Sequence, residues 1–207
     1  MARNNRRSGP PQELELDITD LTHDGRGVAR VENKAVFVAG ALPGERVRAK
    51  ITQKHRQYDE GETVEVLTRS PHRVDARCGH FGVCGGCALQ HLDPAQQILS
   101  KQRTLLENLE RIGGVSPKDV LPPLVGEPWG YRRRGRLSVK HVLKKERTLV
   151  GFREMDGRLV ADLQHCHVLH PAVGTRLPEL AALVQSMDAR EEIPQIEIAA
   201  TALPADD

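Results

Sequence analysis

No apolar run in the 207 residues approaches the roughly 18 consecutive positions that a membrane helix needs, which excludes a spanning helix. Met1 to Gln12 likewise lack the apolar centre of a secretory signal; they are polar and basic, so the expected address is cytoplasmic, with no membrane partner. Internal repeats and low-complexity tracts are absent. With hydrophobic residues at 39% and charged residues at 28%, collagen, coiled coil and disorder are excluded as the main state. The length allows one or two small domains and not a large multidomain enzyme. Aromatic side chains are scarce, at 3%, so two of them beside one basic run are noticeable. Net charge is also small, at +2, and alone says nothing about nucleic acid. Its distribution says more. Trp129 to Arg153 holds nine Lys and Arg against the single acid Glu146, whereas Glu154 to Asp207 holds three basic residues against ten acidic ones.

Residues 13–70 read as a compact β module. Leu14, Leu16 and Ile18 alternate with polar partners, the period-two pattern of a half-buried strand. Val28 to Val31 and Ala35 to Val38 flank Glu32-Asn33-Lys34 as a hairpin. Val47, Ala49 and Ile51 alternate with Arg46, Arg48 and Lys50 after the turn at Leu42 to Glu45, and Thr63 to Leu67 forms a last strand. Short strands with Gly and Pro turns over about 60 residues indicate a small Greek-key barrel of the OB type. A helix follows with clear signals: Asp93 as cap, Pro94 in the first turn, Gln96 completing a capping box, and Gly113-Gly114 after the end. Ile98, Leu105, Leu109 and Ile112 recur at helical spacing, with Leu99 and Leu106 beside them. Farther on, Leu137 and Val139, Leu149 to Phe152, Leu159 to Leu163 and Gln195 to Ala199 read as strands, and Leu177 to Met187 as a helix.

The four cysteines carry the sharpest chemistry. Cys78, Cys84 and Cys87 are spaced C-x5-C-x2-C inside a Gly-rich loop, and Cys166 stands far downstream in QHCHVLHP. Disulfides need an oxidising compartment, for which nothing speaks. Structural zinc usually pairs two short C-x2–4-C knuckles. Three ligands in one loop with a distant fourth resemble the ligation of a [4Fe–4S] cluster. Gly79, Gly82, Gly85 and Gly86 let the backbone wrap a bulky group and turn amides toward sulfur. His80, His91, His165 and His167 flank the cysteines and keep a mixed Cys/His zinc site open. Four thiolates would close the cluster, which argues against radical chemistry at an open iron and leaves no cysteine as a catalytic nucleophile.

Arg132, Arg133, Arg134 and Arg136 open a predicted strand. There, alternation would set Arg132, Arg134 and Arg136 on one face, at a spacing suited to successive phosphates. Lys140 extends the field, with Lys144, Lys145 and Arg147 beyond it. Trp129 and Tyr131 offer stacking surfaces for unpaired bases, although Trp129 alone also reads as a core residue. A solvated basic face is the plainer reading of the block; its place beside a cysteine site and an OB-like barrel favours RNA contact.

The segments CGHFGVCGGCALQH, WGYRRRGRLSV, GFRE and QHCHVLHP together resemble the bacterial RNA uracil-C5 methyltransferases, and the β module, with HDGRGVAR and GALPGERV, resembles a TRAM domain. The resemblance spans Leu14 to Ala200. It implies a [4Fe–4S] cluster on Cys78, Cys84, Cys87 and Cys166, S-adenosylmethionine as methyl donor, and 23S ribosomal RNA rather than DNA as partner of a monomer. It also implies a flipped uracil, attacked at C6 by a catalytic cysteine so that C5 takes the methyl group. The expected fold class is therefore mainly β with some α. The expected layout is a basic disordered tail at 1–12, a TRAM domain at 13–70, and an incomplete α+β iron–sulfur domain at 71–92 and 115–207. The helix at 93–114 would pack on a missing Rossmann-like catalytic domain. With no Gly-rich cofactor unit and no spare cysteine, no catalytic residue is expected in these 207 residues. The competing expectation is a non-catalytic RNA-binding module with a structural zinc or iron–sulfur site.

Overall fold

The alternation of apolar and charged residues before Ser70 builds the first sheet of the computed structural model, which describes residues 12–201. The tail at 1–12 lies outside the described residues, Gln12 excepted. Six strands form that sheet: β1 (Glu13–Asp17), β2 (Asp20–Leu21), β3 (Gly27–Val31), β4 (Lys34–Ala39), β5 (Arg46–Lys54) and β6 (Tyr58–Thr68). Their order is β1-β5-β6-β4-β3-β2, antiparallel except where β4 and β6 run parallel. Leu16 of β1, Ala29 of β3, Val36 and Val38 of β4, and Val47, Ala49 and Ile51 of β5 share one core. Strands far apart in the order can share a core only if the sheet curls, so the arrangement is barrel-like. The tip of the β3–β4 hairpin takes Glu32 and Asn33 through positive φ (47° and 68°), the pair of left-handed positions that a tight two-residue turn demands.

β6 begins earlier than the expected strand at Thr63. Asp59, Glu60 and Glu62 are poor strand formers, but Gly61 lets β5 close in: a Cβ there would stand 2.9 Å from the Lys50 carbonyl oxygen. The two-residue β2 is too short to leave a pattern.

Helix α1 (Pro94–Arg111) belongs to the same compact unit, which runs through Asp75 and resumes over His91–Leu121. Asp93 caps it, its carboxylate accepting from Ala95 N at 3.0 Å and Gln96 N at 3.3 Å. None of its residues is buried, and Leu99, Leu105 and Ile112 are exposed.

Two buried polar groups tie the residues after the sheet to it. Glu45, with its side chain wholly buried, accepts from Arg73 Nε at 2.6 Å and from Leu42 N at 2.9 Å. His91, 4% exposed, lies near both Arg73 and Glu45. Burial, reinforced by the Arg73 guanidinium and only partly opposed by Glu45, pulls the His91 imidazole down to about 4. The unfolded chain therefore takes up this proton first, and the stability of the unit falls as pH drops from about 6.5 toward 4, by on the order of 3 kcal/mol from this group. Denaturant melts across that window should show the loss, and His91→Gln should flatten it; an equal slope in the variant contradicts the assignment.

The second unit comprises Ala76–Gln90 and the chain from Pro122 onward. Its sheet has the order β8-β7-β9, from β7 (Arg134–Val142), β8 (Arg147–Gly151) and β9 (Gln195–Ala199), antiparallel throughout. α2 (Pro171–Gly174) and α3 (Leu177–Gln185) complete it, and α3 packs against β8. Leu137 and Val139 of β7, Val150 of β8, Leu177 and Val184 of α3, and Ala161, Leu163, Cys166, Val168 and Leu169 from the loops make its core. The strand expected at Leu159 to Leu163 is not formed. The chain turns back at Gly157 (φ +73°), pairs once at Arg153 and Val160, and then crosses close over Gly151, where a Cβ would lie 2.4 Å from the Ala161 carbonyl oxygen. That crossing carries Ala161 and Leu163 into the core rather than along a strand edge. The chain is thus mainly β with some helix. Among the described residues no helix is long and apolar enough to cross a membrane.

Candidate cofactor site

The cysteine loop is an irregular segment held by backbone pairing at both flanks. Cys84 N donates to the His80 carbonyl oxygen (2.9 Å), Gly85 N to Arg153 O (2.9 Å), and Met155 N to Val83 O (3.0 Å). The loop is thereby clamped against the hairpin that follows β8. Gly86 is needed there: a Cβ would sit 3.1 Å from the Phe152 ring and 3.4 Å from Cys84 Sγ. Gly86 N in turn points at that sulfur, 3.4 Å away. Gln90, at the end of the loop, accepts from Cys78 N at 3.1 Å and hydrogen-bonds the Cys87 side chain.

Cys166 arrives from the other direction. Its N–H donates to Gly174 O at 2.8 Å, and a Cβ on Gly174 would lie only 2.3 Å from the Cys166 carbonyl oxygen. The C-terminal end of α2 can press on the Cys166 backbone only because residue 174 has no side chain. The distant fourth cysteine is set in this way.

All four cysteines are free thiols, and all four line one small cavity of about 20 Å³, together with His80, Phe81, Arg132, Phe152, Leu163 and His165. Cys166 is buried and the other three are half-buried. Burial pushes the Cys84 thiol up, and so do Cys87, Cys166 and Cys78, against the opposing Gly86 N–H. Burial also raises Cys87; the Gln90 hydrogen bond and, more weakly, Arg132 oppose it, while Cys166 and Cys78 add to it. The raised Cys84 and Cys87 thiols resist ionising unless a cation arrives to take the charge. Among the described residues no grouping of three or more His, Cys, Asp or Glu closes on a metal-ion position.

The flanking histidines divide. His80 and His165 line the cavity, and His80 Nε2 accepts from Gln164 N at 3.3 Å. His165 Nε2 and His167 Nε2 are 2.8 Å apart, and the Trp129 ring packs edge-on to His167 at 6.0 Å. His91, expected beside the cysteines, is instead in the core of the first unit. Gln90, Phe152 and Leu163 were not expected as site residues; Gln90, within CGHFGVCGGCALQH, and Phe152, within GFRE, lie in segments already singled out, whereas Leu163 does not stand in one of these motifs.

The basic run also divides. β7 begins at Arg134, so Arg134, Arg136 and Lys140 share its outward face while Leu137 and Val139 point to the core. Arg136 is exposed and paired with Glu197 of β9 at 3.0 Å. Arg133 is exposed, as is Tyr131, whereas Trp129 is half-buried beneath the Arg77 guanidinium, 5.2 Å from its ring. Arg132 precedes the strand and is half-buried, its Cζ 4.9 Å from the Phe152 ring centroid.

Comparison with known proteins places these features. The TRAM domain family matches residues 10–67. A protein of Xanthomonas campestris pv. campestris (strain 8004) named 23S rRNA (uracil(1939)-C(5))-methyltransferase RlmD is 58% identical over 190 residues, covering 90% of this chain and 43% of that protein. A protein of the same name from Stenotrophomonas maltophilia (strain K279a) is 57% identical with the same coverage. The chain therefore spans less than half the length of the curated relatives it matches. Among solved structures, the tRNA (uracil-54, C5)-methyltransferase of Pyrococcus abyssi, in complex with S-adenosyl-L-homocysteine, shares the fold with a TM-score of 0.56 at 24% identity, over 83% of this chain and 36% of that one. With a region that matches the TRAM domain family followed by a four-cysteine unit, the chain is similar, over 90% of its length, to part of proteins named 23S rRNA (uracil(1939)-C(5))-methyltransferase.

Proposed function

We propose that this chain serves S-adenosylmethionine-dependent C5 methylation of a uridine in 23S ribosomal RNA, supplying RNA recognition and a [4Fe–4S] site, and that it has no methylating activity by itself. The observation that carries the reading is the meeting of four cysteines from two distant segments at one cavity. The donor set fits the group: four soft sulfurs, a backbone N–H aimed at one of them, and apolar walls from Phe81, Phe152 and Leu163. Cys78, Cys84, Cys87 and Cys166 would hold the cluster. It would cross-link the glycine loop to the Cys166 segment, and a reducing cytoplasm is where such thiols persist.

In this reading the chain's own residues handle the RNA. Arg134 and Lys140, exposed and outward on β7, meet phosphates, with Arg133 beside them. Arg136 contributes less, because Glu197 already occupies it. Tyr131, 60% exposed, stacks on an unpaired base, and Trp129 supports Arg77. Helix α1 packs its exposed Leu99, Leu105 and Ile112 on the catalytic part of the whole enzyme. Iron and sulfide analysis of protein purified without oxygen tests the cluster. Arg134→Ala and Lys140→Ala should each weaken binding of a single-stranded RNA and reduce the slope of log affinity against log salt by about 0.7 for each phosphate no longer neutralised. Unchanged slopes return the face to ordinary solvation.

A second reading has one observation in its favour: His80 and His165 line the same cavity, which also suits a mixed Cys/His zinc site in a non-catalytic RNA-binding module. Zinc without iron in the purified protein would select it.

A further inference from the structure

Of the four arginines at 132–136, one does not face solvent with the others. Arg133, Arg134 and Arg136 are exposed, while Arg132 is half-buried and lines the cysteine cavity. Its placement is fixed by backbone from the Cys166 segment. Arg132 N donates to Val168 O at 2.9 Å, and Arg132 O accepts from His170 N at 3.0 Å, so a parallel bridge forms with Leu169. This pairing holds Arg132 outside the β7 ladder and removes it from the alternation that governs Arg134 and Arg136. The side chain then lies over Phe152, the ring that also packs on Gly86 of the cysteine loop, and its Nε donates back to Arg134 O at 3.2 Å. Arg136 and Arg147 are paired with Glu197 and Asp162. Arg132 has a ring and sulfurs as neighbours instead.

Resting on the cluster reading above, we propose that Arg132 is a positioning residue of the cysteine site: its guanidinium offsets the negative charge of the four-thiolate cluster and sets its reduction potential, rather than binding RNA phosphate. A cluster with four thiolate ligands carries net negative charge, and reduction adds one more negative charge in a partly desolvated place. A fixed cation at the wall stabilises the reduced form more than the oxidised form and so holds the potential up. The always-charged, planar guanidinium suits the role, since it can lie flat on Phe152 without losing its charge.

The test uses the full chain, purified without oxygen and titrated with dithionite under visible and EPR detection, with iron content and RNA salt dependence measured on the same samples. Arg132→Gln is expected to retain iron and lower the midpoint by about 59 mV, which is a tenfold change in the ratio of reduced to oxidised cluster. Arg132→Lys should restore most of the shift, and neither substitution should alter the RNA salt slope that Arg134→Ala reduces. If Arg132→Gln loses the cluster and Arg132→Lys keeps it at the wild-type potential, the charge requirement is again demonstrated. An unchanged midpoint in an iron-loaded Arg132→Gln protein overturns the inference and leaves the cluster reading intact. Equal loss of iron from both variants also overturns it, because shape and not charge would then be needed. Wild-type protein without iron and sulfide overturns the cluster reading and this inference together.

Discussion

Serine at any one of positions 78, 84, 87 or 166 should remove the brown absorbance of anaerobically purified protein and lower its iron content by more than about tenfold, a loss larger than disturbance of a supporting residue produces. The four sulfurs line one cavity and come from both sides of it, so no other thiol among the four cysteines of the chain can replace a missing ligand. A serine hydroxyl is neutral at neutral pH and a hard donor, mismatched to iron–sulfur chemistry. Position 166 needs a control. Cys166 is buried in the core with Val168, Leu169 and Leu177, so serine there also buries a hydroxyl, at a cost of about 1–3 kcal/mol. Cys166→Ala avoids that cost and should lose iron equally. Variants that keep wild-type iron would remove the cluster from the proposal, and cadmium or zinc titration of the apo-protein would then show whether the thiols serve a single ion.

The second large effect concerns stability. Glu45→Ala should destabilise the first unit by about 3–5 kcal/mol, as measured by denaturant unfolding, because it strands a paired charge. The Glu45 carboxylate takes Arg73 in bidentate fashion, with Nε at 2.6 Å on one oxygen and a terminal nitrogen at 2.8 Å on the other. It also accepts from Leu42 N at 2.9 Å and Ser70 N at 3.3 Å. Removing it leaves two backbone amides and a largely buried guanidinium short of partners. The bond from Arg73 to Gly40 O, at 2.6 Å, cannot take over the charge. Burial raises the Glu45 carboxyl, but Arg73 and the two amides outweigh it and hold the value below the ordinary carboxylate range. The stabilisation is therefore complete above about pH 4.3 and is lost as pH falls through the lowered folded value. Glu45→Gln, which keeps one acceptor, should cost less than Glu45→Ala. A loss under about 1 kcal/mol in the alanine variant would mean that the pair adds little to the fold.

Local pattern was enough wherever one face of an element is dry and the other wet. Val47, Ala49 and Ile51 alternate with Arg46, Arg48 and Lys50, and β5 carries all six. The α1 boundaries followed from Asp93, Pro94 and Gly113, because capping is a matter of neighbouring residues. Pattern failed where close approach of distant backbone decided the outcome. β6 extends through the acidic run at Asp59 to Glu62 because Gly61 admits the Lys50 carbonyl. The apolar run at Leu159 to Leu163 makes one bridge instead of a strand because it crosses Gly151 on its way into the core. His91, four residues from Cys87, reads as a neighbour of the cysteines and instead faces Arg73 and Glu45 in the first unit.

By itself, then, the sequence determined the donor types and their spacing, the β module, and the concentration of positive charge after Trp129, since each is written in adjacent residues. Only the tertiary structure decided that Cys166 reaches the other three cysteines, through α2 pressing on its backbone at Gly174, and that Arg132 turns to their cavity while Arg134 and Arg136 face solvent. The reason is the range of the interactions. Alternation and capping act between near neighbours along the chain, whereas the site is assembled by hydrogen bonds and close contacts between segments about eighty residues apart, whose cost and reward depend on the whole packed unit.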